Sequence, residues 1–234
     1  MRKTLVLLSV FILLFSCSKE KETNMIVRGQ IKGLKKGKLY LQKMKDTLLV
    51  SVDSLTLKGT ELFELKDFVE SPVLYYLTFD ANNTKKSILF FGEQGTITIN
   101  DKVENFGLFP EISGSKNHDI FAKYNLISQK FQTQNLELIK KDFDAKKAKD
   151  ENLVKQIEEE YKRLLKRRVL YTANFAISNS DSEVAPYLGL TELYDAALPL
   201  LDTLNSSLSD KVKNSEYGKR YQKYLDTIKK NENK

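Results

Sequence analysis

The 234-residue chain is poor in the side chains that support disulfide, redox and zinc chemistry. It contains one cysteine, one histidine and no tryptophan. A single cysteine cannot form an internal disulfide or a Cys-x-x-Cys redox pair, and one cysteine with one histidine cannot complete the usual ligand set of a structural zinc site. We therefore expect no metal and no cofactor. The 13 Phe and 11 Tyr residues nevertheless supply enough apolar surface for a packed core, so the chain is not a disordered one.

The N-terminal residues have the layout of an export signal. Basic residues 2–3 precede an apolar run at residues 5–15, which is too short to span a bilayer, since a spanning helix needs about 20 residues. It has the length of a signal-peptide core. Residues 14–17 (Leu-Phe-Ser-Cys) resemble a bacterial lipobox, which implies cleavage between Ser16 and Cys17 and lipidation of Cys17. An ordinary secretory signal or a short membrane anchor is the alternative.

The charge and polarity of the residues after this signal are typical of a tether, which predicts a tethered envelope protein. Removing the signal peptide, residues 1–16, takes two positive charges from the formal +7 and leaves +5. Residues 17–24 are charged and polar, which is typical of a flexible tether. Their Lys-Glu pattern also resembles signals that send some lipoproteins to the cell surface. We expect a lipid-anchored protein of the cell envelope, on the periplasmic face of the outer membrane or at the cell surface.

Residues 25–115 are predicted to form a β-sandwich domain. Short apolar runs with alternating polarity, such as Met25, Val27 and Ile31, recur at roughly 8–12-residue spacing. Glycine, proline or asparagine separates them. This pattern is typical of an antiparallel sandwich or barrel.

Residues 116–231 are predicted to form helices, because apolar residues recur there at spacings of three and four. Three stripes carry the prediction: Ile120, Tyr124, Ile127 and Phe131; then Leu153, Ile157, Tyr161, Leu164 and Leu165; then Tyr217, Tyr221, Tyr224 and Ile228. Gly218 interrupts the last stripe. The predicted fold class is α+β, with an N-terminal antiparallel β-sandwich followed by a C-terminal helical bundle that packs on it.

Several motifs of the strand half together resemble a known family. They are Val52-Asp53-Ser54, the Ser71-Pro72 strand, and Ile112-Ser113-Gly114-Ser115 before the first helix. The sequence over residues 25–116 resembles the domain of unknown function found N-terminal to TlpA-like thiol-disulfide oxidoreductases of Gram-negative bacteria. Residues 214–219 (Asn-Ser-Glu-Tyr-Gly-Lys) resemble the linker of those proteins. Their thioredoxin domain carries a Trp-Cys-x-x-Cys site, which this sequence lacks, so the resemblance does not bring oxidoreductase activity with it.

Two regions of the helical half invite a chemical interpretation. His118 lies near Ser113, Ser115 and Asp119 and is the one possible histidine base of a hydrolase. The simpler interpretation is a helix start, capped by Asp119 or Asn117. The basic run at 162–168 suits lipid headgroups, but acidic residues one turn earlier make a solvated helix face the simpler explanation. We expect no nucleic-acid partner.

The strand half offers one candidate binding feature. Tyr75 and Tyr76 are adjacent in a predicted strand, so one of them faces away from the core and is a possible binding residue. Asp53-Ser54-Leu55 and three similar triplets resemble O-glycosylation acceptors of exported proteins. A role of Asp53 and Ser54 in the fold is the simpler explanation.

These features predict a membrane-tethered, non-catalytic binding or interaction lipoprotein with a further envelope protein as a possible partner. The alternative is an accessory subunit that acts in trans with a separate thioredoxin-like oxidoreductase. A third hypothesis is a hydrolase that uses His118.

Overall fold

The computed structural model describes residues 22–79 and 87–232. Within them, eight strands come first: Met25–Lys32 (β1), Lys36–Lys45 (β2), Leu48–Lys58 (β3), Leu62–Asp67 (β4), Val73–Phe79 (β5), Ile88–Gly92 (β6), Gly95–Lys102 (β7) and Glu111–Ser113 (β8). Six helices of the described chain follow: Lys116–Ala148 (α1), Glu151–Ser178 (α2), Val184–Thr191 (α3), Leu198–Ser207 (α4), Asp210–Lys213 (α5) and Glu216–Glu232 (α6). The predicted order of strands and helices is confirmed. Ser16 and Cys17 lie outside the described residues.

The strands form two four-stranded sheets with the orders β4-β1-β7-β8 and β3-β2-β5-β6. All pairings are antiparallel except that of β1 with β7, which is parallel from Met25 opposite Gly95 to Lys32 opposite Lys102. The sequence pattern predicted antiparallel strands throughout. Parallel neighbours need a long crossover connection, and the entire second sheet lies between β1 and β7 in the chain and supplies it.

The inner faces of the two sheets share one core. Burial alternates along β2 and β4, so that Leu39 and Leu41 of β2 and Phe63 and Leu65 of β4 are buried while their neighbours are more exposed. The rings of Tyr75 and Phe90 stack at 5.8 Å between their centroids inside this core. The alternation read from the sequence therefore identifies the buried face correctly.

Asp53 joins the edges of the two sheets. Its Oδ2 accepts a hydrogen bond from the backbone N–H of Lys66 in β4 at 2.7 Å, and its Oδ1 accepts one from Ser54 at 2.7 Å. The pairing of β2 with β3 shifts register between Leu41 and Gln42, opposite Asp53. A bulge changes the direction in which a side chain points. At this bulge the side chain of Asp53 reaches β4 of the neighbouring sheet. The interpretation of Asp53 as a residue of the fold is confirmed.

The helices pack on the outer face of the second sheet. Because Tyr75 and Phe90 point inward, their strand neighbours Leu74 and Phe91, which are register partners, point outward. The ring of Phe91 meets the rings of Phe121 at 5.4 Å, Tyr187 at 5.5 Å and Tyr217 at 6.1 Å. The molecule therefore has three layers, of which the middle sheet is covered on both sides.

Helices α1 and α2 extend from these layers as a long hairpin. At 1.5 Å per residue, the 33 residues of α1 span about 50 Å. Its first turns pack on the sandwich through Phe121. The far part has a small separate apolar cluster, made of Leu138, Ala145, Ile157 and Leu164 with Phe131 and Val154 against it. Of the predicted second stripe, Leu153 and Tyr161 are exposed rather than buried.

Gly218, which interrupts the last predicted stripe, has a packing role. A Cβ atom there would lie 2.0 Å from the carbonyl oxygen of Val212 at the end of α5. The Gly218 N–H donates to the Ser215 hydroxyl at 3.1 Å. Only a residue without a side chain lets α6 begin this close to α5.

We predict that Gly218→Ala destabilises the fold, although the same change inside an ordinary helix is stabilising. The clash with backbone outweighs the helix-propensity gain, and the expected loss is about 2 kcal/mol. Urea unfolding followed by circular dichroism measures it. Lys219→Ala, at the exposed neighbouring position, is the control and leaves stability nearly unchanged. Equal stability of both variants would contradict the packing role.

Candidate functional site

Two motifs that carry the family resemblance meet where the sandwich contacts α6. The Ser71 hydroxyl accepts a hydrogen bond from the backbone N–H of Glu216 at 3.0 Å and so caps the first turn of α6. The backbone N–H of Leu74 donates to the Tyr217 hydroxyl at 3.1 Å. Burial raises the pKa of Tyr217, so its hydroxyl stays protonated. The start of β5 and the start of α6, about 145 positions apart in the chain, are thus joined by two hydrogen bonds. In each bond a side-chain hydroxyl of one segment accepts from a backbone N–H of the other.

A cleft of about 630 Å³ opens beside this junction, and we call it the sandwich–helix cleft. Its walls come from the end of the β2–β3 hairpin, the loop between β4 and β5, and the first turns of α6. The polar and charged lining residues are Lys43, Lys45, Asp46, Ser51, Asp67, Glu70, Ser71, Glu216 and Arg220, and the apolar ones are Met44, Val50, Val52, Phe68, Val69 and Val73. The volume lies within the range of ordinary small-ligand sites.

A hydrogen-bonded triad stands at the inner end of this cleft. Lys43 Nζ lies 2.6 Å from Asp67 Oδ2 and donates to the Tyr75 hydroxyl at 3.1 Å. The Tyr75 hydroxyl donates to the same Asp67 oxygen at 2.7 Å. Asp67 and Tyr75 are buried, with 3% and 0% of their surface exposed, whereas the Lys43 side chain keeps 28%. The lysine is therefore the member of the triad that faces the cleft.

The triad fixes its own protonation states. Burial alone would raise the pKa of Asp67, but hydrogen bonds from Lys43 and Tyr75 outweigh it and hold this pKa below its usual value. Burial and the neighbouring Asp67 carboxylate raise the pKa of Tyr75 far above its usual value. At neutral pH, Asp67 is ionised and Tyr75 is protonated. The arrangement presents fixed charges and fixed hydrogen-bond directions.

An ion pair at the start of α6 also lines the cleft. Arg220 lies one turn after Glu216 on α6, and its guanidinium is 2.7 Å from the Glu216 carboxylate. Val50, Val52 and Val73 supply part of the apolar lining of the same cleft. A ligand with a charged end and an apolar body fits such a lining.

The tyrosine pair behaves partly as the strand pattern predicts. Tyr75 and Tyr76 do point to opposite faces of β5. Tyr75 is the inward member, and its hydroxyl joins the triad at the end of the cleft. Tyr76 is half-buried and packs against the core, so its ring does not form an open groove.

His118 lies at the start of α1 and has a structural setting. Its backbone N–H donates to the Ser115 hydroxyl at 3.0 Å, so Ser115 is the cap, and the expected cap at Asp119 or Asn117 is wrong. Burial lowers the pKa of the imidazole. Among the described residues, its Nδ1 has no hydrogen-bond partner. The described part of the chain does not pair the imidazole with a serine hydroxyl.

Asn117 instead connects three segments. Its amide donates to the Glu93 carboxylate at 2.6 Å, and its Oδ1 accepts from the Ser182 hydroxyl at 2.7 Å and from the Glu183 N–H at 3.0 Å. A buried amide bonded on both sides fixes the root of α1 against the turn before α3.

Sequence reasoning missed Lys43, Asp67 and Arg220. A signal for two of them was present, because Lys43 continues the inward positions of Leu39 and Leu41 and Asp67 continues those of Phe63 and Leu65. A charged residue at a core-facing position needs a partner. The position of Arg220 in the lining of the cleft depends on tertiary structure and left no local pattern.

The described residues limit two other kinds of site. No helix within residues 22–79 and 87–232 has the length and apolar character to cross a membrane. Over the same ranges, histidine, cysteine and carboxylate side chains do not form a group of three or more that suits a metal ion.

Comparison with protein families found a match in the strand half. Residues 25–121 match the model of a domain of unknown function, DUF4369. The match takes in all the described strands and the first turns of α1, and it includes Ser71 but not the helix that Ser71 caps. Searches of curated proteins and of solved structures found no significant match.

We predict that Lys43→Met lowers the free energy of unfolding at pH 7 by about 2 kcal/mol, since it leaves the buried Asp67 carboxylate without its cation. Urea denaturation measures the loss. The exposed Lys45 on the same strand is the control, and Lys45→Met is expected to cost little. Equal losses in the two variants would contradict the role of the triad.

The triad also predicts a pH dependence. Because the folded-state pKa of Asp67 lies below the ordinary 3.8, its stabilisation is present above that pH and is lost as the pH falls through the folded value. The stability difference between wild type and Asp67→Asn should therefore shrink from pH 7 to pH 3. A difference that stays constant over this interval would mean that the carboxylate charge is not what stabilises the fold.

Proposed function

We propose that this protein is a membrane-tethered, non-catalytic binding lipoprotein of the cell envelope, and that the sandwich–helix cleft holds its ligand. Lipid on Cys17 would anchor it. The observation that carries the proposal is the Lys43–Asp67–Tyr75 triad, which holds a lysine at the inner end of an open cleft.

Preorganisation supports binding at this cleft. Lys43 is held by two hydrogen bonds and Arg220 by its ion pair with Glu216. Side chains that are already ordered lose little conformational entropy when a ligand arrives. Lys43 and Arg220 keep N–H donors beyond these contacts, and together with the valines of the lining they suit a ligand that carries a negatively charged acceptor group on an apolar body.

The protonation states support a non-catalytic role. General acid–base catalysis works best with a group whose pKa lies near the operating pH. The pKa of Asp67 is shifted down and that of Tyr75 is shifted up, so both move away from neutrality. Asp67 and Tyr75 therefore keep one protonation state at neutral pH and are poor donors or acceptors of a proton in a reaction.

The attachment of the tether supports a position close to a membrane. The Asn24 side chain bonds to both the carbonyl oxygen and the N–H of Val69, at 2.9 and 2.8 Å, and Val69 lines the cleft. Residues 17–24, fully extended, reach about 26 Å. A lipid at Cys17 would therefore keep the cleft within a few tens of ångströms of the membrane surface.

We predict that Cys17→Ala moves the protein from the membrane fraction to the soluble fraction, because the acyl chains supply its membrane affinity. Fractionation and immunoblotting show the change, and Ser18→Ala, the adjacent position, is the control that stays in the membrane. Protease added to intact cells then separates a surface protein, which is digested, from a periplasmic one. A Cys17→Ala protein that remains in the membrane fraction would contradict the lipid anchor.

Ligand capture tests the cleft directly. Wild-type protein and Arg220→Glu are purified from the same envelope extract, and bound small molecules are compared by mass spectrometry. We expect an anionic amphiphile with the wild type and at least a tenfold loss in Arg220→Glu, since a salt-bridging arginine is replaced by a repelling charge. Arg28→Glu, at an exposed position of β1, is the matched control.

Two results would overturn the proposal. An equal ligand content in wild type and Arg220→Glu would show that the cleft is not the site. Recovery of a thioredoxin-like oxidoreductase in place of a small molecule would favour the accessory-subunit hypothesis.

A further inference from the structure

The far part of the α1–α2 hairpin exposes a row of large apolar side chains. Leu136, Ile139 and Phe143 of α1 lie at spacings of three and four and are 65%, 55% and 66% exposed. Tyr161 of α2 is 40% exposed and lines, with Ile139, the groove between the two helices on this side. We call these four residues the hairpin patch. A contiguous apolar patch of this kind on a polar surface marks an interaction site.

The hairpin does not bury the patch against itself. The seam between the helices is already occupied by Leu138, Ala145, Ile157 and Leu164. The patch residues of α1 lie roughly 100° to 160° around the helix from Leu138 of this seam, since each residue advances a helix by roughly 100°. The other groove of the hairpin is lined mainly by charged residues, among them Lys141, Arg163 and Arg167. One side of the hairpin therefore exposes large apolar side chains among charged ones, whereas the other groove is mainly charged.

The two helices that flank the patch carry opposite charge. Residues 136–149 of α1 and the turn after it contain five lysines and three acidic residues, whereas residues 150–161, at the start of α2, contain five acidic residues and one lysine. On the side of the patch, Lys140, Lys146 and Lys147 lie along α1, and Glu151 and Glu158 lie along α2. Glu158 lines the patch groove with Lys146.

We propose that the hairpin patch is the interface with a second copy of this chain, and that the two hairpins form a four-helix bundle. The two-fold axis runs along the hairpin, so that α1 of each copy packs on α2 of the other. The interface is isologous, as is usual for a dimer of identical chains. Bundles of four helices are a standard way to bury one apolar stripe per helix.

Charge decides between this arrangement and its alternatives. With the axis along the hairpin, the basic end of α1 lies over the acidic start of the second copy's α2, and the same contact occurs twice. An axis across the hairpin would place α1 on α1 and α2 on α2, with like charges facing each other. Like charges across an interface are unfavourable, so the parallel dimer is the expected form.

Charge exchange tests the proposal on the full chain, solubilised in density-matched non-ionic detergent and studied by sedimentation equilibrium. One variant carries Lys140→Glu, Lys146→Glu and Lys147→Glu, and the other carries Glu151→Lys and Glu158→Lys. We expect wild type to dimerise and each variant alone to dimerise at least about tenfold more weakly, because several exposed charge pairs are lost. An equimolar mixture of the two variants should recover wild-type affinity as a heterodimer.

The recovery in the mixture shows that both variants are folded, so a simple folding defect does not mimic the expected result. The matched control reverses three charges on the other groove, with Lys141→Glu, Arg163→Glu and Arg167→Glu, and should leave dimerisation unchanged. Ile139→Ser with Phe143→Ser should abolish dimerisation while circular dichroism stays the same. A monomeric wild type at all concentrations, or a dimer that none of these patch variants weakens, would overturn the proposal. Weakening without recovery in the mixture would overturn the parallel arrangement.

Discussion

The contact of the helices with the outer face of the second sheet is the constraint on which the rest of the structure depends. Phe91 is its centre, because it meets one ring each from α1, α3 and α6. Burying such aromatic contacts contributes roughly 0.5–1.5 kcal/mol per pair beyond the area that they cover. The Ser71 cap and the Leu74–Tyr217 hydrogen bond then fix α6 in direction. The sandwich–helix cleft exists because α6 is held there.

The cleft also depends on three polar residues at inward positions of the sandwich. Three inward positions at one end of the sheets, Lys43, Asp67 and Tyr75, carry polar groups where the same alternation places leucine and phenylalanine further along. A buried carboxylate without partners would cost several kcal/mol, so the lysine and the tyrosine have to be present together. Since the lysine keeps part of its surface in solvent, the core ends in a charged group that is open to the cleft. The packing of the sandwich core therefore also places the lysine at the cleft.

Much of this fold could be predicted from sequence, and the reasons for the exceptions are physical. Alternation found the strands, and three-four spacing found the helices, because burial on one side imposes those periods. The parallel β1–β7 pair was missed, since pairing direction depends on a crossover that no local pattern encodes. Gly218 was noted as an irregularity, and its reason, the approach of Val212, is a contact between helices. For the site, Tyr75 and Tyr76 as binding residues stay a prediction, and Tyr75 reaches the cleft as the inward member of the pair, whereas the position of Arg220 needed the packed structure. The lipid anchor at Cys17 remains a prediction.

The hairpin shows how a highly charged segment can be helical with a very small core of its own. Starting a helix is the costly step, whereas each further residue adds a hydrogen bond at little cost. The sandwich fixes the first turns of α1 through Phe121 and Asn117, and Tyr124 joins them to the end of α2 with a 3.0 Å hydrogen bond to Thr172. The contacts with the sandwich thus order the first turns of α1 and the last turns of α2. The rest of the two helices continues from these ordered turns. Apart from the small cluster at its seam, the side chains of that far part are therefore not needed to form a core. For this reason we interpret the exposed apolar residues on its surface as an interface with a partner and not as a source of the chain's own stability.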